Sequence, residues 1–246
     1  MNAHVVPTRR AKSLLRPAAI LFDVDGTLAE TEETHRLSFN RAFAEAGLDW
    51  RWSAHEYSDL LRVTGGKERI GHYVARHGLP ARFAAPAFVK ALHVRKTALY
   101  GELVRSGAAP LRPGVAELLA EAREAGVRLA IATTTSPDNV DALLTAALGP
   151  TWRDAFPVVA AGDMAPRKKP APDVYLLALK ALDLPARACV AVEDSRNGVL
   201  AAVAAGLSTY AVRSRYAADD DLSEAEFVVA SPADLRLDAL RAAVAG

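Results

Sequence analysis

The stretch A18-AILFDVDGTLAETEET-H35 decides the fold. Ala18 to Phe22 is an apolar run that reads as a buried strand. Where that strand must end, Asp23 and Asp25 stand one residue apart, with Gly26 and Thr27 directly behind them. Carboxylates buried at a strand tip are costly unless a cation or hydrogen bonds offset the desolvation. Such a carboxylate can attack phosphorus and form an acyl phosphate. A second one two residues on can work as general acid and then general base. Glycine lets the chain turn sharply after the strand. D-x-D-G also occurs in calcium loops and ordinary turns, so this stretch alone leaves both readings open.

Downstream the pattern changes twice. From Thr34 to about Gly107 the apolar residues recur at helical spacing and strand signals are absent. Leu37, Phe39, Phe43 and Ala46 predict one apolar helix face, and Gly47 can end that helix. Ser53 and Glu56 have capping-box spacing ahead of a second helix. Ile70, Tyr73, Val74 and His77 predict one side of a third. From Pro113 the chain alternates. Helical PGVAELLAEAREAG, PDNVDALLTAALG, PDVYLLALKALDL and RNGVLAAVAAG separate strand-like VRLAIATTT, FPVVAAGD, ACVAVED and STYAVR. EFVVA reads as a further strand, and a final helix is expected from about Pro232. Alternation of this length argues for an α/β fold, a Rossmann-like parallel sheet covered on both faces. The helical stretch is then an insert. The expected division is a basic tail over 1–16, a core over 17–33 and 109–246, and a helical cap over 34–108.

In open parallel sheets ligands gather at the carboxyl ends of the strands. Asp23, Thr133 and Asp194 all fall there. Thr133, Thr134, Thr135 and Asn139 offer hydroxyl, amide and backbone donors suited to a phosphoryl group, although helix capping by Ser136 explains part of the same stretch. RKKPAPD supplies Lys168 and Lys169 ahead of a proline-fixed loop. Glu193 and Asp194 add carboxylates, and with the Asp23–Asp25 turn they make an oxygen-rich setting for a hard dication such as Mg2+. In the insert, Gly65 and Gly66 sit beside Lys67 and Arg69, a candidate second anion site. His93 and Lys96 add positive charge on the next long helix. Glu32 and His35 fall near the expected hinge.

The chain has 246 residues, of which 51% are hydrophobic and 24% charged, and its formal net charge is +1. That balance gives no global attraction to nucleic acid or an anionic membrane. The one cysteine, Cys189, lies in an apolar run, so no internal disulfide exists. No apolar segment reaches the length of a membrane span. The first 16 residues carry Arg and Lys but no acid. A disordered tail and an organellar transit peptide both fit that composition. The expected setting is a cytoplasmic monomer.

ILFDVDGT, AIATTTS, KKPAPD and VEDSRNG together resemble the four motifs of haloacid dehalogenase-like phosphohydrolases. TGGKERI and AAGDM resemble the CbbY group within them, which dephosphorylates xylulose 1,5-bisphosphate. The resemblance implies a phosphosugar substrate and Mg2+ held by the Asp23 carboxylate, the Asp25 backbone carbonyl and Asp194, with Glu193 behind them. It implies that Asp23 is the nucleophile, Asp25 the acid/base and Thr133 a phosphoryl-binding group. Either lysine of the tandem can fill the phosphate site, and the family pattern favours Lys169. It implies that Glu32 and His35 touch the sugar or the transferring group. A sugar phosphomutase of the β-phosphoglucomutase type shares these motifs and is the alternative.

Overall fold

The computed structural model describes residues 14–243. In chain order the elements are β1 (Leu14–Leu15), β2 (Ala19–Phe22), α1 (Glu32–Glu45), α2 (Ala54–Leu60), α3 (Gly66–Arg76), α4 (Pro86–Arg105), α5 (Val115–Glu124), β3 (Arg128–Thr133), α6 (Pro137–Leu148), β4 (Val158–Ala161), α7 (Asp173–Leu182), β5 (Cys189–Glu193), α8 (Arg196–Ala204), β6 (Ser208–Val212), β7 (Phe227–Val229) and β8 (Ala242–Ala243). Six strands form one parallel sheet in the order β4-β3-β2-β5-β6-β7. The order reverses between β2 and β5, which makes their carboxyl ends the switch point where ligands bind in such sheets.

Side chains alternate across the sheet, and the two faces differ in size. Ile20, Phe22, Leu129, Ile131, Val190 and Val192 point to one side. Ala19, Leu21, Ala130, Ala132, Cys189 and Ala191 point to the other, where α7 and α8 press close through Tyr175, Ala178, Ala201 and Ala202. Cys189 is a small core residue, and burial pushes its thiol up to about 11.

Helices α1 to α4 fill the chain between β2 and α5 and enclose their own aromatic cluster of Phe39, Phe43, Trp50, Trp52, Tyr57 and Tyr73. Helix α4 bridges the two cores. Its first half packs there through Val89 and Leu92, while Tyr100 and Val104 join the sheet's cluster against α6.

Several expectations from the sequence need correction. Leu37 is 45% exposed and Ala46 is also exposed. The buried stripe of α1 is instead His35, Ser38, Phe39, Ala42 and Phe43, whose polar members hide the periodicity. His77 is exposed and caps α3, where its Nε2 pairs with Glu56 Oε1 at 3.1 Å. Glu56 therefore leaves the capping box half-made: Ser53 accepts from the Glu56 amide, but Glu56 does not reach back. Among the described residues no α-helix follows Pro232. A short 3-10 turn over Pro232–Asp234 leads through an extended residue at Leu235 and a turn at 237–239 into β8, which pairs with β1. Leu235 and Leu237 are both buried, a two-residue spacing that extended chain satisfies and a helix does not. Leu14 and Leu15 of the basic tail therefore belong to a strand; the rest of the tail, through residue 13, lies outside the described residues. No helix of the described residues is long and apolar enough to cross a membrane.

Candidate active site

The site forms where β2, β3 and β5 end side by side. Phe22 pairs with Ile131 on one flank and Val192 on the other, so Asp23, Thr133 and Glu193–Asp194 emerge together. Gly26 has φ +84, and a Cβ there would collide with the Asp194 carboxylate; only glycine permits this turn. Gly198 plays the same part on α8, where a Cβ would collide with the Glu193 carboxylate.

Lys169 reaches into this cluster from the loop before α7. Its Nζ lies 2.6 Å from Asp23 Oδ1 and 2.5 Å from Glu193 Oε1. Tyr175 Oη donates to the same Glu193 oxygen at 2.6 Å. Lys168 points elsewhere, to the Gly162 carbonyl at 2.6 Å and Asp163 Oδ1 at 2.9 Å. The tandem is therefore divided, with Lys169 alone on the carboxylates. Burial opposes the charge of Lys169, but Asp23 and Glu193 override it and hold the ammonium well above its usual range.

Asp23, Glu193 and Asp194 offer oxygens that all lie within 4.8 Å of one another. Burial lifts Asp23 to about 7; Lys169 opposes this, while Glu193 and Asp25 add to it. Burial, Asp23 and Glu193 likewise push Asp194 well up, although Ser214 Oγ donates to its Oδ2 at 2.6 Å. Three buried carboxylates thus face one ammonium, that of Lys169, among the described residues. A divalent cation would balance that surplus, and an all-oxygen donor set suits Mg2+.

Asp25 turns away from this triad. Its Oδ1 accepts from Thr31 Oγ1 at 2.5 Å and pairs with His35 Nε2 at 3.0 Å. Burial works to raise the carboxyl, but His35 and Thr31 prevail and hold it well below the usual range. His35 stacks on Tyr100 with ring centroids 4.2 Å apart, and its Nδ1 lies 2.5 Å from Lys96 Nζ. An ammonium at Lys96 donates to Nδ1, which leaves the proton on Nε2 to donate to Asp25. Lys96 is pushed down to about 7 by burial, against the pull of Asp25 and Glu32.

One cavity of about 1180 Å³ lies between sheet and helical layer. Every candidate residue from the sequence lines it except Glu193, which is fully buried behind Lys169. Thr133 ends β3 and Thr134 and Thr135 follow it; Thr133 Oγ1 accepts from the Thr135 amide at 3.3 Å. Asn139 donates to Thr135 Oγ1 at 3.0 Å, and its buried Oδ1 has no partner among the described residues. From the helical side come Gly65 and Gly66 at the start of α3, with Lys67, Arg69, His93 and Glu32. The two cations expected to hold a second anion already have partners. Lys67 is paired to Asp163 across the cleft, and Arg69 donates to Tyr57 Oη and the Leu60 carbonyl at 3.0 and 3.2 Å. Glu32 accepts from Tyr57 Oη at 2.8 Å. Burial, with Lys96 and Lys67 nearby, drives His93 down to about 3, so it lines the cavity as a neutral ring.

The model for the haloacid dehalogenase-like hydrolases matches residues 17–206. The chain belongs to that family. This hydrolase is 52% identical over 209 residues to the protein CbbY of Rhodobacter capsulatus, covering 85% of the chain and 91% of the relative. It is 48% identical to the crystal structure of CbbY from Rhodobacter sphaeroides in complex with phosphate, with a TM-score of 0.85, covering 89% of this chain and 96% of that one. A variant of the same protein, solved in complex with xylulose-(1,5)bisphosphate, superimposes equally well, with a TM-score of 0.85 at 47% identity, again covering 89% of this chain and 96% of that one.

Sequence reasoning missed several residues of this hydrolase's site. Thr27 and Ser214 hold Asp194, Tyr175 holds Glu193, Thr31 holds Asp25, and Asp163 engages both Lys67 and Lys168. Thr27, Thr31, Asp163 and Tyr175 lie inside or beside recognised motifs and were within reach. Ser214 has no sequence signal at all.

Proposed function

We propose that the chain is a Mg2+-dependent phosphatase that converts xylulose 1,5-bisphosphate to xylulose 5-phosphate through an aspartyl phosphate on Asp23. The observation that carries this is the position of Asp23: a carboxylate at the tip of the central strand, on Lys169, facing a cavity with cationic groups on its far wall. Asp23, Asp194 and the Asp25 carbonyl would hold the metal, with Glu193 oriented behind by Lys169 and Tyr175. When bound, Mg2+ supplies charge neutralisation that lets an anionic nucleophile meet an anionic ester.

The remaining work falls to the chain's own groups. Asp23 attacks phosphorus and the bond to the sugar oxygen breaks. Lys169 and the donors at Thr133–Thr135 stabilise the charge on the equatorial oxygens. Asp25, held as carboxylate by Thr31 and His35, is in the form that accepts a proton from the water that then hydrolyses the acyl phosphate. To protonate the departing alkoxide first, it must take up a proton; the Lys96–His35–Asp25 chain of hydrogen bonds leads to it. Giving that proton to the alkoxide re-forms the carboxylate, which then takes the water's proton and returns it along the same His35–Lys96 chain, so each turnover ends with Asp25 in its starting form.

The bisphosphate assignment rests on the relative whose structure contains that sugar and on the cavity, which is large enough for a pentose with two phosphates. The test supplies xylulose 1,5-bisphosphate and β-glucose 1-phosphate separately with Mg2+. Stoichiometric phosphate from the first, with no isomerisation of the second, is expected. Conversion of the hexose 1-phosphate to its 6-phosphate, with negligible phosphate from the bisphosphate, would make the chain a mutase.

A further inference from the structure

The chain returns from α4 to α5 through Leu111, Arg112 and Pro113. Leu111 bridges Ala29, and the Arg112 amide donates to the Leu28 carbonyl at 2.8 Å, so this segment lies along the turn that carries Asp25. The Arg112 side chain is 9% exposed. Its Nη1 donates to the Gly26 carbonyl and its Nη2 to the Arg213 carbonyl, while Nε faces Glu30 Oε1 at 3.4 Å. Glu30 in turn accepts from the Arg215 amide at 3.3 Å. Gly26 directly follows Asp25. Arg213 directly precedes Ser214, whose hydroxyl donates to Asp194. Thr27, next to Gly26, donates to the other Asp194 oxygen at 3.4 Å. One guanidinium therefore ties together the two backbone segments that flank Asp194.

We propose that Arg112 is a positioning residue for phosphoryl transfer, clamping the Gly26 and Arg213 carbonyls so that Asp25 and Asp194 keep their relative placement. It touches none of the reacting groups and acts through the two backbone segments. The planar fork of arginine presents two diverging donors at fixed spacing; a lysine ammonium is a single point that holds one carbonyl at a time. A shift of about 1 Å in reacting groups costs on the order of a hundredfold in rate. The inference rests on the phosphatase reading but not on the identity of the sugar.

The test uses Arg112→Ala and Arg112→Lys in the full chain, assayed with Mg2+ on a small aryl phosphate as well as on the bisphosphate. Turnover of the aryl phosphate without the bisphosphate would overturn the sugar assignment and leave this measurement intact. In variants that keep the wild-type circular dichroism spectrum, kcat is expected to fall roughly 10- to 100-fold with KM within about threefold of wild type. Guanidinium at concentrations that leave wild type unaffected should restore a substantial part of the alanine variant's rate. Lysine should restore little, and it decides the matter if the alanine variant does not fold. Wild-type kcat in either folded variant would overturn the proposal. So would a loss that follows a falling thermal midpoint and is untouched by guanidinium.

Discussion

Lys169 and Asp23 meet at 2.6 Å although 146 residues separate them in the chain, and Lys168, one residue away, is turned to Asp163 instead. Adjacent lysines in one loop thus serve different walls of the cavity. Lys169→Met should lower kcat by at least about a hundredfold, because it removes the ammonium from both Asp23 and Glu193. Lys168→Met should act mainly on KM and by less than about tenfold, since its partners lie at the cavity wall. Steady-state kinetics of the two purified variants separates them. Equal losses would mean that both lysines serve the transferring group.

Asp23→Asn should abolish turnover by more than about a thousandfold while the protein stays folded. The amide is nearly isosteric but not a competent nucleophile here, and it removes one of three crowded carboxylates. Its thermal midpoint should therefore match or exceed that of wild type. Near-normal rates in a preparation free of contaminating phosphatase would contradict the covalent step.

The outline of the fold was legible because strand tips and carboxylates coincide. Asp23 and Asp194 directly follow short apolar strands and Thr133 ends one, and parallel register brings such ends together without further information. What the sequence concealed were contacts made by common residue types over long separations. Ser214 on Asp194 and Arg112 on Gly26 belong to no motif, since a serine or arginine finds such partners only once the sheet has formed. The stripe of α1 was misread for a different reason. His35 and Ser38 are buried because the site and a backbone carbonyl satisfy them, so polarity there does not report exposure. Asp163 stands in the AAGDM motif, but its pairing with Lys67, 96 residues away, depends on the cleft that the fold creates.

The Lys67–Asp163 pair crosses the cleft, and Asp163 also accepts from Lys168. Lys67 first, then Lys168, hold the Asp163 carboxyl at about 2. Because that value is depressed, the pair's contribution is present above the unfolded value near 3.9 and is lost as pH falls toward about 2. Asp163 is 66% exposed, so its effect on stability should be small, within about 1 kcal/mol. Its effect on binding should be larger: Asp163→Asn frees both lysines for an anionic substrate and should lower KM for a bisphosphate by a few-fold. A raised KM would mean that Asp163 aids closure more than it competes.

His93 provides a pH test of the cavity wall. Burial holds its folded value at about 3, against an ordinary value of 6.5, so the folded state resists the protonation that the unfolded state accepts. Its contribution to stability is full above pH 6.5 and is lost steadily as pH falls from there toward 3. One proton gives a slope of about 1.4 kcal/mol per pH unit in that window. His93→Gln, which cannot titrate, should reduce the slope of unfolding free energy by up to that amount between pH 6 and 4. Parallel curves for variant and wild type in urea titrations across the window would show that the ring is solvated in solution.

On the proposed function, a xylulose bisphosphate loses one phosphate at Asp23. The most direct measurement follows purified wild type with Mg2+ and xylulose 1,5-bisphosphate by 31P nuclear magnetic resonance, with Asp23→Asn in parallel. Wild type should convert the two ester signals into equal amounts of inorganic phosphate and xylulose 5-phosphate, and the variant should leave the bisphosphate untouched. Persistence of both ester signals with wild type, or equal phosphate release by the variant, would contradict it.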